Sequence, residues 1–418
     1  MKLYPLICVA SLFAFNAALA GEYQFNTPVK QTVYEGTLGN KKIVLQTLDA
    51  TQNGKTFRAA SYFYASQRLE IPLTKKDNGF EEYSSNCYID EKCKLVAKLS
   101  LTNVGNGLKG NWVAASGDKS YEVSLKPVAT ATFTQHYEIS DNDGILSDTM
   151  DGASDLAKNM FKRKMALGET TYSKEQFMNG YGYKTATDKL SGIHYIILTS
   201  APKGQNLGPI NKTLTDIRLS MVGYGLECKA MPAGDSPAYG TFGDWDSYTS
   251  EPVNINDRIL VTEESGSTFC GGAHPNNSYL HAIFDMKTGN LIYHYDLFKL
   301  YYEQDYNKLQ TIAFKKIFKK ITSDKKYLIR EASDDADFDK ECIYGGQENT
   351  DDLNDNTDYS WMPFSAYPAK DGVVFALENV PHVAGGCMGD YYKISYKEAL
   401  PLMTPLAKQL FAKELAGK

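Results

Sequence analysis

The chain of 418 residues has little of what most hydrolytic and nucleotide-using enzymes require. Histidine is scarce. The six present, at positions 136, 194, 274, 281, 294 and 382, form no HExxH or HxH pattern, so a zinc hydrolase has no anchor. There is no GxSxG nucleophile elbow, no phosphate loop, and no dinucleotide fingerprint set between a strand and a helix. Cys270 lies four residues before His274 but lacks the second CxxC or HxxxH half that a structural metal needs. No cofactor, metal site or catalytic residue is therefore expected. Carboxylate-only glycosidases leave no short signature, which keeps a hydrolase as the alternative.

Positive charge is also in short supply. Lys and Arg number 44 against 50 Asp and Glu, a formal charge of −6, which argues against nucleic acid as a partner because phosphates demand basic patches. Beyond the N-terminus no apolar run is long enough for a membrane span.

What is present begins with a leader pattern. Lys2, the apolar stretch Leu6 to Phe15 and the Ala18-Leu19-Ala20 end read as a signal peptide over 1–20. Cys8 follows Ile7 rather than a small residue, which argues against a lipoprotein anchor. A periplasmic or secreted location makes disulfides the expected fate of the six remaining cysteines. Six allow 15 pairings. The spacing in NCYIDEKC predicts Cys87–Cys93, and sequence neighbourhood suggests Cys228–Cys270 and Cys342–Cys387.

Residues 21–128 alternate apolar and polar positions in short runs, at 32–38, 42–48, 57–65, 68–73, 94–101, 108–114 and 121–125. Turn signals such as Gly39-Asn40, Asn53-Gly54 and Gly105-Asn106-Gly107 separate them. This predicts an antiparallel β-meander that closes into a barrel and hides its edges, with Ile43, Leu45, Leu95, Ala97, Leu99, Leu101 and Trp112 filling it. Residues 129–182 read as a connector carrying a helix over 153–165. Residues 183–418 mix strand and helix periods, with helices expected over 206–222 and 304–321, giving an α+β fold class for the chain. The polar loops at 141–144 and 333–360 lack the Gly and Glu offsets of a calcium loop and read as solvated.

The most distinctive stretch is Ser267–Asn290, in which Gly271 and Gly272 precede His274, then a strand and a Lys287-Thr288-Gly289-Asn290 turn. Gly385-Gly386-Cys387 repeats the composition after Pro381-His382. Paired glycines permit sharp turns, and either loop is a candidate for ligand or partner contact through Gly271, Gly272, His274 and His382.

The ordered set GGAH (271–274), FDMKTGN (284–290), DLF (296–298), WMPFSAYPAKDGVVFAL (361–377) and YYKISYKEALPLM (391–403) resembles the exported domain of RsiV-type anti-sigma factors, which also occurs on some peptidoglycan deacetylases. The resemblance covers about half the chain at the level of pattern. It implies an α+β fold and an extracytoplasmic binding role, which in that family is lysozyme sensing. The expectation is a soluble periplasmic binding protein of the cell envelope, taking lysozyme or peptidoglycan fragments. An envelope glycan or peptidoglycan hydrolase is the alternative.

Overall fold

The computed structural model describes residues 26–77, 79–84, 94–136, 139, 145, 150–230, 248–268, 276–304, 307–330, 342–343 and 363–416. Their contacts form two compact units. The first takes the chain up to Glu169, Asp188–Ser191 and the stretch that begins at Leu219. The second takes Thr170–Thr187, Gly192–Arg218 and the C-terminal part from Gly243.

The first unit is built on a closed antiparallel barrel of eight strands. They are β1 (Thr27–Leu38), β2 (Lys41–Gln52), β3 (Lys55–Tyr64), β4 (Ile71–Lys76), β5 (Gly79–Tyr83), β6 (Leu95–Val104), β7 (Gly107–Ala114) and β8 (Ser120–Gln135). Each pairs with the next, and β1 also pairs with β8 over most of its length, which leaves neither edge of the meander open. Asn53 and Gly54 both have positive φ, 51° and 76°, as a two-residue turn between twisted strands requires. Ile43, Leu45, Tyr62, Leu99, Val123 and Leu125 share the inner face and form one apolar cluster, against which Leu101 and Trp112 pack. Ala97 is fully buried, and Leu95 is half-buried. A carboxylate sits in this setting. Glu82 accepts hydrogen bonds from Tyr62 Oη at 2.8 Å and Trp112 Nε1 at 2.9 Å.

Two details differ from the periodicity. Strand β5 falls between the expected strands at 68–73 and 94–101. The expected strand at 68–73 starts instead at Ile71, because Arg68 takes a positive φ of 53° in a turn. Its buried guanidinium forms a forked pair with Asp188 (2.8 and 2.7 Å) and donates to the Met165 and Ala166 carbonyls.

After the barrel, the short strand β9 (Met150–Asp151) pairs with β8. Ile139, Ile145, Met150 and Ala153 bury Val29, Leu48, Ala50 and Phe133, which lie on the opposite face of the barrel wall from the inner cluster. Helix α1 (Met160–Ala166) is shorter than the expected 153–165. Asn159 accounts for the late start. Its Oδ1 accepts from the Lys162 amide, capping the helix, and from Gln31 Nε2 at 3.0 Å, while its Nδ2 donates to the Ala153 carbonyl. Phe161 of α1 packs on Phe63 with ring centroids 5.1 Å apart.

The second unit holds several small antiparallel sheets. β10 (Thr170–Tyr172), β12 (Tyr181–Asp188), β11 (Gln176–Met178) and β13 (His194–Ser200) make the first. Helix α2 (Gly208–Ala230) follows. β14 (Thr249–Ile255), β15 (Ile259–Thr268), β16 (Asn276–Asp285) and β17 (Leu291–Ile292) make the second. Helix α3 (His294–Leu297) leads to a hairpin, β18 (Tyr301–Gln304) with β19 (Asn307–Gln310), and then to helix α4 (Ile312–Ser323). Within the helix expected over 304–321, Asn307–Gln310 is thus strand. Thr311 is the reason, since its hydroxyl caps the Phe314 amide and sets the helix start. β20 (Phe364–Pro368), β21 (Val373–Leu377) and β22 (Gly389–Ile394) make the third sheet. Thr404 caps the helix Pro405–Leu410, with Pro405 at its first position, as its sequence implies.

One core joins these pieces. Phe314 and Phe318 from α4 meet Phe364, Phe375 and Tyr391 from the third sheet, with Ile259, Val261 and Ile283 from the second. Cys342 and Cys387 form a disulfide across a sequence separation of 45. Cys228 is also disulfide-bonded, and Cys270 and the 87–93 segment lie outside the described residues. Among the described residues no helix is long and apolar enough to cross a membrane.

Candidate functional site

The face of the β15–β16 hairpin that meets the third sheet carries a polar cluster. Residues two apart on a strand share a face, so Tyr279 and His281 of β16 project together. In register, His281 lies opposite Glu263 of β15, and Tyr279 opposite Ser265. Glu378 comes from the residue after β21, Tyr367 from β20 and Asp390 from the start of β22.

His281 is the centre. Its ring is 1% exposed and stacks on Tyr367 with centroids 3.7 Å apart, while Tyr279 meets it edge-on at 5.3 Å. Its backbone N–H donates to Glu378 Oε1 at 3.0 Å, and its ring Nδ1 lies 2.7 Å from the same oxygen. A carboxylate oxygen can only accept, so Nδ1 is the donor of this bond. Nε2 is buried and has no hydrogen-bond partner among the described residues. The closest carboxylate oxygens are Glu263 Oε2 at 3.9 Å and Asp390 Oδ1 at 4.0 Å.

Two tyrosines organise those carboxylates. Tyr279 Oη donates to Asp390 Oδ1 at 3.0 Å and lies 3.3 Å from Glu263 Oε2. Tyr367 Oη donates to Asp390 Oδ2 at 2.5 Å. Burial first, then the adjacent carboxylates, push both phenols well above their ordinary value, so they remain donors at neutral pH. Glu263 and Asp390 are about one-third and one-quarter exposed, which turns their charge toward solvent. Three carboxylates around one imidazole make a strongly acidic patch with aromatic walls.

The loop before β22 is braced from several directions. Cys387 is tied to Cys342, and Tyr391 Oη donates to the Cys387 carbonyl at 2.8 Å. Arg330 donates to the Gly386 and Met388 carbonyls and lies over the Tyr391 ring at 4.6 Å. These contacts fix where Asp390 starts its strand.

The adjacent residue of β15 faces the other way and does a different job. Glu264 is buried and accepts hydrogen bonds from Tyr195 Oη, Tyr248 Oη and Thr262 Oγ1. Burial raises its pKa above the ordinary carboxylate value in spite of these donors. With no opening to solvent, it belongs to the interior.

Gly271, Gly272 and His274, three of the contact residues expected from the sequence, lie outside the described residues. His382 opens a short helical turn, His382–Cys387, that reaches the start of β16. A Cβ on Gly385 would come within 3.3 Å of Asn277 Nδ2. The 382–387 tract therefore borders the hairpin that carries the cluster, while the cluster itself does not stand out in the sequence. The signal available was the pairing of Glu263 with Tyr279-x-His281 on one hairpin face. Glu378 and Asp390 arrive from more than 90 residues away, and nothing local marks them.

Fold and site together define a β-barrel joined to an α+β unit that carries an acidic, tyrosine-walled cluster around a buried histidine. No protein-family model matches the chain, and no curated protein matches it.

Proposed function

We propose that the protein is a soluble extracytoplasmic binding protein of the cell envelope. Its acidic cluster engages a basic protein, with lysozyme the first candidate and peptidoglycan fragments the second. One observation carries the reading. Glu263, Glu378 and Asp390 converge on His281, with tyrosines oriented as donors and two of the carboxylates turned to solvent. Such a patch attracts a cationic surface and speeds its encounter. The leader pattern, the disulfides and the RsiV-type resemblance support an exported location and the choice of lysozyme.

Biolayer interferometry of the purified protein against hen lysozyme and soluble muropeptides tests this. The expected result is saturable lysozyme binding that weakens steeply between about 50 and 300 mM salt, as screening shortens the reach of surface charge. Absence of binding to both at low salt defeats the proposal.

A second reading, an envelope glycan hydrolase, is favoured by the His281–Glu378 pair, a histidine oriented by a carboxylate. It predicts dye release from labelled peptidoglycan that His281→Ala abolishes. No release above buffer removes it.

A further inference from the structure

In a chain with a net charge of −6, residues 312–330 hold seven basic side chains and one acidic one, Asp324. Helix α4 sorts them by face, because residues three and four apart lie together. Phe314, Phe318 and Ile321 form the face buried in the core. The opposite face runs through Ile312, Lys315, Lys316, Lys319, Lys320 and Ser323, and none of these is acidic. Lys315–Lys319 and Lys316–Lys320 are like-charge pairs four residues apart, which weaken a helix, whereas a salt-bridged solvent face alternates sign. Two of the basic groups have local partners. Lys320 pairs with Glu398 at 2.7 Å, and Lys326 with Asp324 at 2.7 Å. Lys316 and Lys319, and Lys325 in the turn after the helix, are exposed and pair with no described residue. Ile312 is 75% exposed and stands at the head of the same lysine row. A single exposed isoleucine is ordinary, but here its position bears on what the face meets.

We propose that the solvent face of α4 adsorbs the protein reversibly to an anionic lipid surface, with Lys316, Lys319 and Lys325 against the headgroup phosphates and Ile312 in the interfacial layer. The inference is independent of the cluster around His281. Charge complementarity selects an anionic partner, since a lysine cluster on an amphipathic helix is drawn to a negatively charged bilayer. The exposed isoleucine among the lysines selects lipid over a soluble polyanion, which offers it no apolar layer to enter. The face carries no aromatic side chain on which a base could stack, as single-stranded nucleic acid requires. The apolar face of α4 stays in the core, so the helix lies on the surface without leaving its place in the fold. The acidic remainder of the chain is repelled by the same surface, which leaves this face as the one that touches.

Flotation of the purified full chain with lipid vesicles tests this. One set is phosphatidylcholine alone, and the other contains about one-third phosphatidylglycerol. The wild type should float with the anionic vesicles at about 50 mM salt, release from them at about 500 mM, and ignore the neutral ones. No flotation with the anionic set, or equal flotation with both, overturns the inference without any variant. Lys316→Glu/Lys319→Glu/Lys325→Glu should lower the partition coefficient at least about a hundredfold, at about fivefold for each lysine near the surface. Lys30→Glu/Lys41→Glu/Lys109→Glu changes the net charge equally at exposed barrel positions and should lower it far less. Equal losses in the two triple variants would mean that net charge alone acts, and would overturn the assignment to α4. Ile312→Ser should weaken vesicle binding at least about threefold and leave binding to soluble dextran sulfate unchanged. If dextran sulfate binds as tightly as the vesicles and Ile312→Ser affects neither, the face belongs to a soluble polyanion and the lipid assignment fails.

Discussion

Glu263 and Glu264 are neighbours in sequence with opposite fates. Strand geometry sends one toward the solvent-edged cluster and the other into the interior between Tyr195 and Tyr248. The buried member has a measurable consequence. Its folded-state pKa is raised above the ordinary 4.5, so the folded protein holds a proton that the unfolded chain releases. Stability from this group is greatest below about pH 4.5 and is lost as pH rises toward the folded value. Urea unfolding between pH 4.5 and 8 should show this decline in the wild type, and Glu264→Gln should flatten it. A variant whose pH dependence runs parallel to the wild type would contradict the assignment. Glu398 shows the opposite sign. Hydrogen bonds from Lys320 and then Ser395 bring it down to about 2, so its contribution is present above about pH 4.5 and is lost as pH falls toward 2. The Glu264 environment is not legible in the sequence, because Tyr195 and Tyr248 are placed by the fold and not by spacing; for Glu398 only the Ser395-x-x-Glu398 capping box is local, and Lys320 is placed by the fold. His281 was legible only as one of two large polar side chains on a strand face.

At the scale of elements, the barrel was the most legible part. Period-two alternation and Asn-Gly turns are local signals, and a meander needs only neighbours to pair. Strand β5 was hidden because Gly79 to Tyr83 contains two glutamates, one of which, Glu82, is buried only because Tyr62 and Trp112 donate to it. Helix boundaries were legible where a cap was recognised, as at Thr404-Pro405, and shifted where Asn159 and Thr311 were passed over. Asn159 does more than cap. It joins α1 to Gln31 of the barrel wall and to Ala153. Asn159→Ala should therefore cost more than a surface cap, about 2–4 kcal/mol, as a lost cap plus an unsatisfied buried carbonyl. Denaturant midpoints check this. A loss under about 1 kcal/mol would reduce Asn159 to an ordinary cap.

For the whole molecule, the sequence placed the interest in the glycine loops around His274 and His382, and the structure centres it on the cluster around His281. The composition is acidic overall, and three of the carboxylates meet at one histidine. The account stands on the claim that this cluster, and not acidity in general, recognises a basic partner. Isothermal titration of lysozyme into the wild type and into a Glu263→Gln/Asp390→Asn double variant, at equal salt and with thermal midpoints matched to confirm folding, tests that claim most directly. The account predicts saturable binding by the wild type and at least about a hundredfold loss in the variant, roughly two charge-assisted contacts. Equal affinities for the two proteins would contradict it.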